Sequence, residues 1–380
     1  MSFSSLGLSD SLLKALADKH YHQPYPIQKE AIPAILKGKD ILGIAQTGSG
    51  KTASYVLPML QKLQNKPLGK NRHIDALVLV PTRELAIQVA EVFHSFNKSL
   101  PTRIKTMAVY GGVSINPQMI QLQGVEILVA TPGRLLDLVD SKAVYLSDIS
   151  ILVLDEADKM LNLGFKEEMR KIFGLLPYIR QNLLFSATLS KDLHSITEVL
   201  LNNPLAIEIE AEEQNLDLIT QLAYKVEEER KGPLLRYLIK QQNMQQVLVF
   251  TSSIHKADSV VEKLKANGIV AAALHSKKSQ GARTEALKIF KAGKLRVLVA
   301  TDIMSRGIDI QFLPYVINYE LPRSPKDYIH RIGRTGRAES PGEAISLISE
   351  EEQHHFNVIQ KKMRKQVAVT ETADLDLHGF

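Results

Sequence analysis

Short runs of aliphatic and β-branched residues recur along this chain, and each is followed by a longer amphipathic stretch. Four or five apolar residues without alternation are typical of a strand buried on both faces, as in a parallel sheet covered by helices. The alternation of such strands with helices indicates βαβ units, so the sequence predicts an α/β fold. The clearest runs are ALVLV (76–80), EILVA (126–130), ILVLD (151–155), QVLVF (246–250) and RVLVA (296–300).

An internal repetition indicates that this architecture occurs twice. Thr82 and Thr131 each end an apolar run, 49 residues apart, and Thr251 and Thr301 do the same 50 residues apart. Chance is the alternative, because buried strands resemble one another. The chain has 380 residues, and single cores stop growing beyond roughly 250–300 residues, so two domains are expected. The predicted segments are a first domain at 1–207, a linker at 208–217, a second domain at 218–364 and a short tail at 365–380.

Composition excludes several classes of protein. The chain contains no Cys, so it has neither a disulfide framework nor a thiolate metal site. It has no run of about 18 apolar residues and no secretory signal pattern, so we expect a cytoplasmic protein without a membrane partner. The net charge of +6 and the pI near 9.1 permit a polyanionic partner, although many soluble proteins are equally basic.

A glycine-rich segment, AQTGSGKT, follows the strand-like run DILGI (40–44) and precedes a stretch typical of a helix. Such a loop exposes backbone N–H groups at a helix N-terminus, where phosphate is favoured. We predict that Lys51 reaches the β- and γ-phosphates and that Thr52 coordinates Mg²⁺. The alternative is a glycine-rich turn beside a surface lysine. The predicted loop consists of Ala45, Gln46, Thr47, Gly48, Ser49, Gly50, Lys51 and Thr52, with Ala45 where the general pattern has glycine.

Acidic and basic groups for phosphate chemistry follow later in the chain. Asp155, after a buried run, is predicted to hold Mg²⁺, and Glu156 to orient or deprotonate the attacking water. Two solvated acids are the alternative. Arg334 and Arg337 in YIHRIGRTGRA (328–338) are spaced i, i+3. We predict that they act on the γ-phosphate from the second domain, so that hydrolysis depends on domain closure.

The motifs AQTGSGKT, PTRELA, TPGR, DEAD, SAT and HRIGRTGR occur in this order, and together they resemble a DEAD-box ATP-dependent RNA helicase. The opening SFSSLGLS and the segment SQGARTEAL (279–287) are most similar to the bacterial RhlE subfamily. The resemblance extends from about Phe3 to about Ser349. It implies two tandem RecA-like domains, each a parallel β-sheet flanked by helices, which use ATP and Mg²⁺ for local, non-processive RNA unwinding.

The resemblance also implies nucleotide contacts outside the glycine-rich loop. Gln28 in YPIQ is similar to a glutamine that reads the adenine edge. Phe3 resembles an aromatic residue that stacks on the base, although a lone N-terminal Phe is otherwise typical of a core anchor. Tyr21 is also predicted to contact the nucleotide. Asp309 resembles a residue that contacts the ribose, and Gly307 is implied to keep the loop that carries Asp309 close to the nucleotide.

Three further residues are implied to couple ATP to RNA between the domains. Ser186 and Thr188 of SAT are similar to a relay that links the state of ATP to RNA binding. His330 shares this role by resemblance, and without the resemblance it is interpreted as a structural histidine.

The predicted RNA contacts lie at strand ends, the edge of an open α/β sheet where ligands bind. Hydroxyls, glycine N–H groups and arginines suit phosphate and sugar, and contacts to the 2′-OH select RNA over DNA. For each threonine the alternative is a helix N-cap. The predicted residues are Pro81, Thr82, Arg83, Gly112, Thr131 and Arg134 in the first domain, and Thr251, Gln280, Arg283 and Thr301 in the second.

Four positions depart from the family pattern. Tyr25 replaces a small alcohol before P-I-Q, and we expect weaker coupling of the adenine loop. Ser276 and Lys277 replace a glycine and an acidic residue, and we expect stronger non-specific RNA affinity. Ser305 replaces a common alanine, with little expected effect.

Two other functions remain compatible with the sequence: a translocating DNA helicase of the same fold, and an ATP-gated RNA clamp or scaffold with little turnover. A DNA helicase would be distinguished by an ATPase that DNA stimulates as well as RNA does. The intact Lys51, Glu156 and Arg334 argue against a clamp with little turnover. Partner proteins from ribosome assembly or RNA decay fit the resemblance, and no residue chooses between them.

Overall fold

A computed structural model describes residues 2–46, 48–64, 66, 71–209, 219–302, 310, 313–336 and 342–380. The chain divides into two compact units, Met1–Ala211 and Glu212–Phe380. The division lies inside the segment predicted as a linker, most of which (210–217) is outside the described residues. Each unit is a parallel sheet with helices, so the predicted α/β fold class is confirmed.

The first unit contains a sheet with helices along its strands. Its described strands are β1 (Ile41–Ile44), β2 (Ala76–Leu79), β3 (Thr106–Val109), β4 (Ile127–Ala130), β5 (Ile151–Leu154), β6 (Gln181–Ser186) and β7 (Leu205–Glu208). Its described helices are a 3₁₀ turn (Phe3–Leu6), α1 (Asp10–Asp18), α2 (Pro26–Leu36), α3 (Lys51–Leu63), α4 (Arg83–Asn97), α5 (Ile115–Gln121), α6 (Pro132–Asp140), α7 (Ala157–Asn162), α8 (Lys166–Gly174) and α9 (Lys191–Leu200).

The second unit repeats this arrangement. Its described strands are β8 (Ile219–Lys225), β9 (Val247–Thr251), β10 (Ala271–Leu274), β11 (Val297–Thr301), β12 (Tyr315–Asn318), β13 (Gly342–Ile348) and β14 (Ala368–Glu371). Its described helices are a 3₁₀ turn (Glu228–Arg230), α10 (Lys231–Gln241), α11 (Ile254–Ala266), α12 (Gln280–Lys291), α13 (Pro325–Ile332) and α14 (Gln353–Met363). None of the helices that the structure describes combines the length and apolar character needed to cross a membrane.

The apolar runs form strands because both faces of each sheet are covered. Successive side chains of a strand point to opposite faces. In β2, Val78 belongs to the core on one face, whereas Leu77 and Leu79 belong to the core on the other. In β9, Val249 and Phe250 divide in the same way. A continuous apolar run therefore supplies two cores at once, as the sequence indicated.

The two sheets have the same strand order. Among the described residues the first sheet runs β3-β4-β2-β5-β6-β1-β7 and the second β10-β11-β9-β12-β13-β8-β14, so each strand corresponds to the one numbered seven higher. Thr82 and Thr131 follow β2 and β4, and Thr251 and Thr301 end the equivalent strands β9 and β11. The repetition seen in the sequence therefore reflects equivalent positions in two similar units.

The segment interpreted as a short tail supplies the seventh strand of the second sheet, because β14 pairs in parallel with β8. Beyond it, Arg230 donates to the carbonyl of Leu375 at 2.7 Å and Arg236 to that of Phe380 at 2.6 Å. The Phe380 ring meets Tyr237 edge-on, with centroids 5.1 Å apart. These contacts make the segment an integral part of the second unit.

Candidate functional site

The strand order of the first sheet sorts the predicted residues into two neighbouring groups at its carboxyl edge. Adjacent strands β5, β6 and β1 lead into the DEAD, SAT and glycine-rich segments, whereas adjacent strands β3, β4 and β2 lead to Gly112, Thr131 and Pro81–Arg83. Open parallel sheets bind ligands outside the carboxyl ends of their strands. One half of this edge is therefore suited to the nucleotide, and the other half to a second ligand.

The glycine-rich loop places a buried cation at the start of α3. Gly50 caps the helix with φ 86°, and a Cβ at this position would collide with the Gln28 amide, so a residue with a side chain is excluded. The buried Lys51 ammonium donates to the Gln46 carbonyl at 2.9 Å and also to the Ala45 carbonyl. Burial lowers the pKa of Lys51, and the nearby carboxylates oppose this shift. The arrangement is suited to holding anionic phosphate oxygens.

Gln28 is fixed to this loop rather than free at the surface. Its side chain is fully buried; Oε1 accepts from the Tyr25 N–H at 3.0 Å, and Nε2 donates to the Gly50 carbonyl at 3.1 Å. A primary amide has two donors and two lone pairs, so one of each remains for the adenine edge. Adenine recognition by Gln28 stays a prediction.

The three aromatic residues of the N-terminal segment, Phe3, Tyr21 and Tyr25, differ in exposure. Phe3 is buried in the core and meets Tyr21 edge-on, with centroids 6.5 Å apart. Tyr21 in turn packs edge-on against Phe96 at 5.7 Å. Phe3 thus has the contacts of a core anchor, and its stacking on a base stays a prediction. Tyr25 is exposed, and its Cδ2 lies 2.9 Å from a Cβ built on Gly50, which places the departure from the family pattern against the loop.

The two acids at the end of β5 have different environments. Asp155 is 2% exposed, and its Oδ2 accepts from the Tyr55 hydroxyl at 2.8 Å. Burial, followed by repulsion from Glu156, raises the pKa of Asp155 to about 6, against the opposing effects of Lys51 and Tyr55. Glu156 has φ 53°, a left-handed conformation that costs a non-glycine residue about 1–3 kcal/mol. Its Oε1 accepts from Lys159 at 2.7 Å.

The SAT segment joins the acidic and glycine-rich segments within the first unit. The Thr188 hydroxyl donates to Asp158 Oδ2 at 2.9 Å, and the buried Ser186 hydroxyl donates to the Thr188 carbonyl at 2.9 Å. The Ser186 carbonyl accepts from the Ala45 N–H at 3.0 Å. Two hydrogen bonds therefore connect the start of the glycine-rich loop to Thr188. The interdomain relay itself stays a prediction.

The buried polar atoms of this half-edge fit a magnesium nucleotide. Among the described residues, Ser49 Oγ, Glu156 Oε2 and Asp158 Oδ1 are buried without a hydrogen-bond partner. Buried polar atoms are normally paired, so these three atoms are compatible with a ligand at this half-edge. Mg²⁺ is typically held by one or two protein oxygens together with phosphates and water. Thr52 and Asp155 have oxygen atoms of this kind, and their coordination of Mg²⁺ stays a prediction.

The other half of the first edge contains the predicted RNA contacts. Gly112 has φ 74°, and a Cβ at this position would collide with the Arg83 guanidinium, so these two residues touch. Thr82 caps α4 by accepting from the Leu85 N–H at 3.2 Å, which is the structural alternative raised for it. Thr131 stands at the N-cap of α6 without a side-chain capping bond. Arg134 is buried and donates to the Val113 carbonyl at 2.8 Å.

The second unit brings its predicted RNA contacts together in the equivalent half-edge. Thr301 and Thr251 are register partners on neighbouring strands β11 and β9. The Thr251 hydroxyl donates to the Ser253 carbonyl at 3.3 Å. At the start of α12, Arg283 donates to the side-chain oxygen of Gln280, and both are buried. Their contact with RNA stays a prediction.

Arg331 is an important residue that the sequence interpretation missed. It forms a bidentate pair with Asp302 (Nε–Oδ1 2.6 Å, Nη2–Oδ2 2.8 Å) and donates to Asn318 Oδ1 at 3.0 Å. Its guanidinium lies 4.9 Å from the Phe250 ring centroid. The available signal was Asp302, an acid directly after a buried strand. On the same helix His330 is exposed, and Arg334 follows it partly buried.

Several predicted site residues cannot be placed. Thr47, Gly307, Asp309 and Arg337 lie outside the described residues, as does the departure at Ser305. Their assignments stay predictions from the resemblance alone.

Comparisons with known proteins agree with this architecture. Residues 25–196 match the DEAD/DEAH box helicase family, and residues 230–339 match the helicase conserved C-terminal domain. ATP-dependent RNA helicase CshA of Listeria monocytogenes is 39% identical over 366 residues, which cover 96% of this chain and 69% of that protein. DEAD-box ATP-dependent RNA helicase RhpA of Helicobacter pylori is 38% identical over 371 residues, which cover 97% and 74%.

A solved structure of S. cerevisiae Dbp5 bound to RNA and ADP BeF3 is 31% identical, with a TM-score of 0.83 over 98% of this chain and 96% of that one. These three names do not specify the RhlE subfamily, so that assignment stays a prediction. The extent and identity of the matches do settle the broader question. This chain belongs to the DEAD-box family of ATP-dependent RNA helicases.

Proposed function

We propose that this ATP-dependent RNA helicase couples RNA-stimulated ATP hydrolysis to local, non-processive unwinding of RNA duplexes or remodelling of RNA–protein complexes. The observation that carries the proposal is the buried cluster of Lys51, Asp155 and Glu156 beside a second group of strand-end residues on the same sheet edge. Hydrolysis and RNA binding at adjacent strand ends can influence each other directly. The relatives' names and the RNA bound to Dbp5 support RNA as the partner.

ATP binding is assigned to the half-edge formed by β1, β5 and β6. The N–H groups at the start of α3 and the Lys51 ammonium neutralise the phosphates. Gln28, held against Gly50, presents its remaining amide donor and lone pair to the adenine. Adenine recognition and phosphate binding are therefore assigned to residues that contact each other, Gln28 and the glycine-rich loop.

Hydrolysis is assigned to Glu156, whose Oε2 is buried and whose Oε1 is held by Lys159 at 2.7 Å. The carboxylate orients the attacking water and accepts its proton. Thr52 and Asp155 would hold Mg²⁺, which neutralises charge that develops on the phosphate oxygens. Lys159 thus holds one oxygen of the Glu156 carboxylate, the proposed general base, and the other oxygen is left for the attacking water.

Arg334 and Arg337 are assigned to the γ-phosphate from the second unit on the basis of the HRIGRTGR motif. An arginine supplied in this way is worth roughly 10³–10⁵ in rate in other NTPases. If RNA binding favours the arrangement in which these arginines act, ATP and RNA must tighten each other's binding by the same factor. Non-processive action follows if each ATP supports one such cycle.

The test is steady-state ATP hydrolysis without nucleic acid, with single-stranded RNA and with DNA of the same sequence, at one salt concentration. Stimulation by RNA alone is expected. Equal stimulation by DNA would favour a DNA helicase of the same fold, and negligible hydrolysis with intact RNA binding would favour an ATP-gated clamp.

Arg334→Ala tests the role of the second unit. This variant should bind nucleotide normally and lose the stimulation by RNA, because the stimulation is assigned to the arginine. Arg323→Ala, at an exposed arginine on the same stretch of chain, is the matched control. Unchanged stimulation in Arg334→Ala would show that RNA acts through other groups.

A further inference from the structure

A buried tyrosine contacts the first acid of the DEAD segment. Tyr55 lies on α3, is completely buried, and donates its hydroxyl hydrogen to Asp155 Oδ2 at 2.8 Å. The two residues are 100 positions apart in sequence, so the fold brings them together. The hydroxyl is the polar end of a ring that is otherwise in the apolar core. Its single donor is used on the carboxylate assigned to Mg²⁺.

The tyrosine ring is held firmly by its neighbours. Its centroid lies 5.5 Å from that of Phe185 on β6 and 6.5 Å from that of Phe93 on α4. The Phe185 ring in turn packs against the backbone of Gly43, where a Cβ would lie 2.6 Å away. A close-packed ring has few available rotamers. The direction of the hydroxyl is therefore fixed by elements on both sides of α3.

The other proposed Mg²⁺ ligand lies on the same helix as Tyr55. Thr52 lies one helical turn before Tyr55, so both side chains are on one face of α3. Tyr55 thus bonds one proposed metal ligand and shares a helix face with the other.

We propose that Tyr55 is a positioning residue that holds the Asp155 carboxylate in the orientation required by the magnesium nucleotide. The inference rests on the proposed ATP·Mg²⁺ function of this site. A carboxylate can rotate about its terminal torsion, which is broad. A donor fixed on Oδ2 restricts that rotation and directs the other oxygen. Loss of such an outer partner typically lowers metal affinity by about 10–100-fold.

The experiment uses Tyr55→Phe in the full chain, because it removes one oxygen and keeps the ring contacts. Binding of a fluorescent ADP analogue is titrated with Mg²⁺, and again in excess EDTA. The half-saturating Mg²⁺ concentration should rise by about 10-fold or more, whereas affinity in EDTA should not change. Tyr319→Phe, at a buried tyrosine of the second unit, is the matched control and should leave both values unchanged.

A second variant separates packing from positioning. Tyr55→Leu removes the ring as well as the hydroxyl, so it should lower thermal stability more than Tyr55→Phe, which keeps the ring packing. Both should raise the half-saturating Mg²⁺ concentration similarly. If only Tyr55→Leu raises it, packing alone explains the effect and the proposal is overturned.

Asp155→Asn distinguishes failure of this inference from failure of the proposed function. It should abolish the Mg²⁺ dependence, and adding Tyr55→Phe to it should change nothing further, because the tyrosine acts through the carboxylate. If Asp155→Asn retains normal Mg²⁺ dependence, the assignment of the metal site itself is wrong. If it abolishes the dependence while Tyr55→Phe has no effect, only the role of Tyr55 is rejected.

Discussion

The half-edge after β1, β5 and β6 differs from the equivalent half-edge after β8, β12 and β13 in how its buried polar groups are paired. In the first unit, the segments after β1, β5 and β6 contain Lys51, Asp155 and Glu156, and some of the buried atoms there lack a partner. In the second unit, the equivalent strands β8, β12 and β13 adjoin Arg331, Asn318 and Ser346, which are connected by hydrogen bonds.

This difference separates a reactive edge from a structural one within a single duplicated fold. A fully paired buried network rigidifies a core, whereas buried polar atoms without partners are poised to receive a ligand. In the second unit, Tyr328 and Asn318 both bond Ser346, and Arg331 neutralises Asp302. The duplicated strand order therefore does not dictate chemistry, which depends on the residues directly after each strand.

The largest effect is expected where the reactive edge loses its base. Glu156→Gln should lower RNA-stimulated ATP hydrolysis by about 10²–10⁴-fold, because proton transfer from water is lost, while ATP and RNA still bind. Turnover is measured at saturating ATP and RNA. Glu30→Gln, at an exposed acid on α2, is the control. Near-normal turnover of Glu156→Gln would remove this residue from the chemistry.

Loss of the Arg331 network in the second unit should change stability. Arg331→Met should lower the free energy of unfolding of the second unit by about 1–3 kcal/mol, because the fully buried Asn318 loses its charged donor and the half-buried Asp302 loses its ion pair. Hydrogen exchange of β9 and β12 peptides measures the loss, with Arg323→Met as the exposed control. Adding Asp302→Leu should recover part of the stability. If Arg331→Met is as stable as its control, the pair does not support this edge.

A smaller effect should distinguish the two seventh strands. Phe380→Ala removes the aromatic contact with Tyr237, and such contacts contribute about 0.5–1.5 kcal/mol. Amide exchange in β14 should accelerate while exchange in β7 stays unchanged. His378→Ala, at an exposed neighbouring position, should affect neither strand. Equal exchange of β14 in wild type and Phe380→Ala would show that β14 is held by its pairing with β8 alone.

The smallest effect should separate the two RNA half-edges. Lys277 in the second unit occupies the position that Gly112 has in the first, three residues after the equivalent strand. It is exposed, so Lys277→Ala should reduce the slope of log affinity against log salt for single-stranded RNA by about 0.7. Lys265→Ala, at the far end of α11, should not change it. An unchanged slope in Lys277→Ala would exclude a phosphate contact there.

The strands and the strand-end threonines were predictable because both depend on local sequence. A continuous apolar run identifies a doubly covered strand, and a polar residue directly after it lies at the ligand edge. Asp155 and Glu156 were found in this way, whereas Lys51 was found from the glycine-rich segment, and all three follow strands of the same half-edge. Short-range pattern was sufficient because the parallel topology gathers strand ends together.

Tyr55, Arg331 and strand β14 were missed because each depends on distant partners. In the sequence Tyr55 is typical of a core aromatic residue, and only the position of β5 in the fold brings Asp155 next to it. In the sequence Arg331 is one of three arginines in a motif, and only the fold shows that it pairs with Asp302. Strand β14 is short and fully exposed along its length, so hydrophobic pattern does not reveal it. The duplication itself was the available signal, because the first unit also ends in a strand after its last helix.

The bonds from Gln28 to Tyr25 and Gly50 have a consequence for engineering altered nucleotide use. Replacing the base-reading residue is the usual first idea for making an enzyme accept a modified purine. Gln28 is the proposed base-reading residue, and its amide also supports the backbone of the glycine-rich loop, so we expect such a change to disturb catalysis as well as selectivity. A bump-and-hole design should therefore alter the exposed Tyr25 ring and leave the glutamine in place.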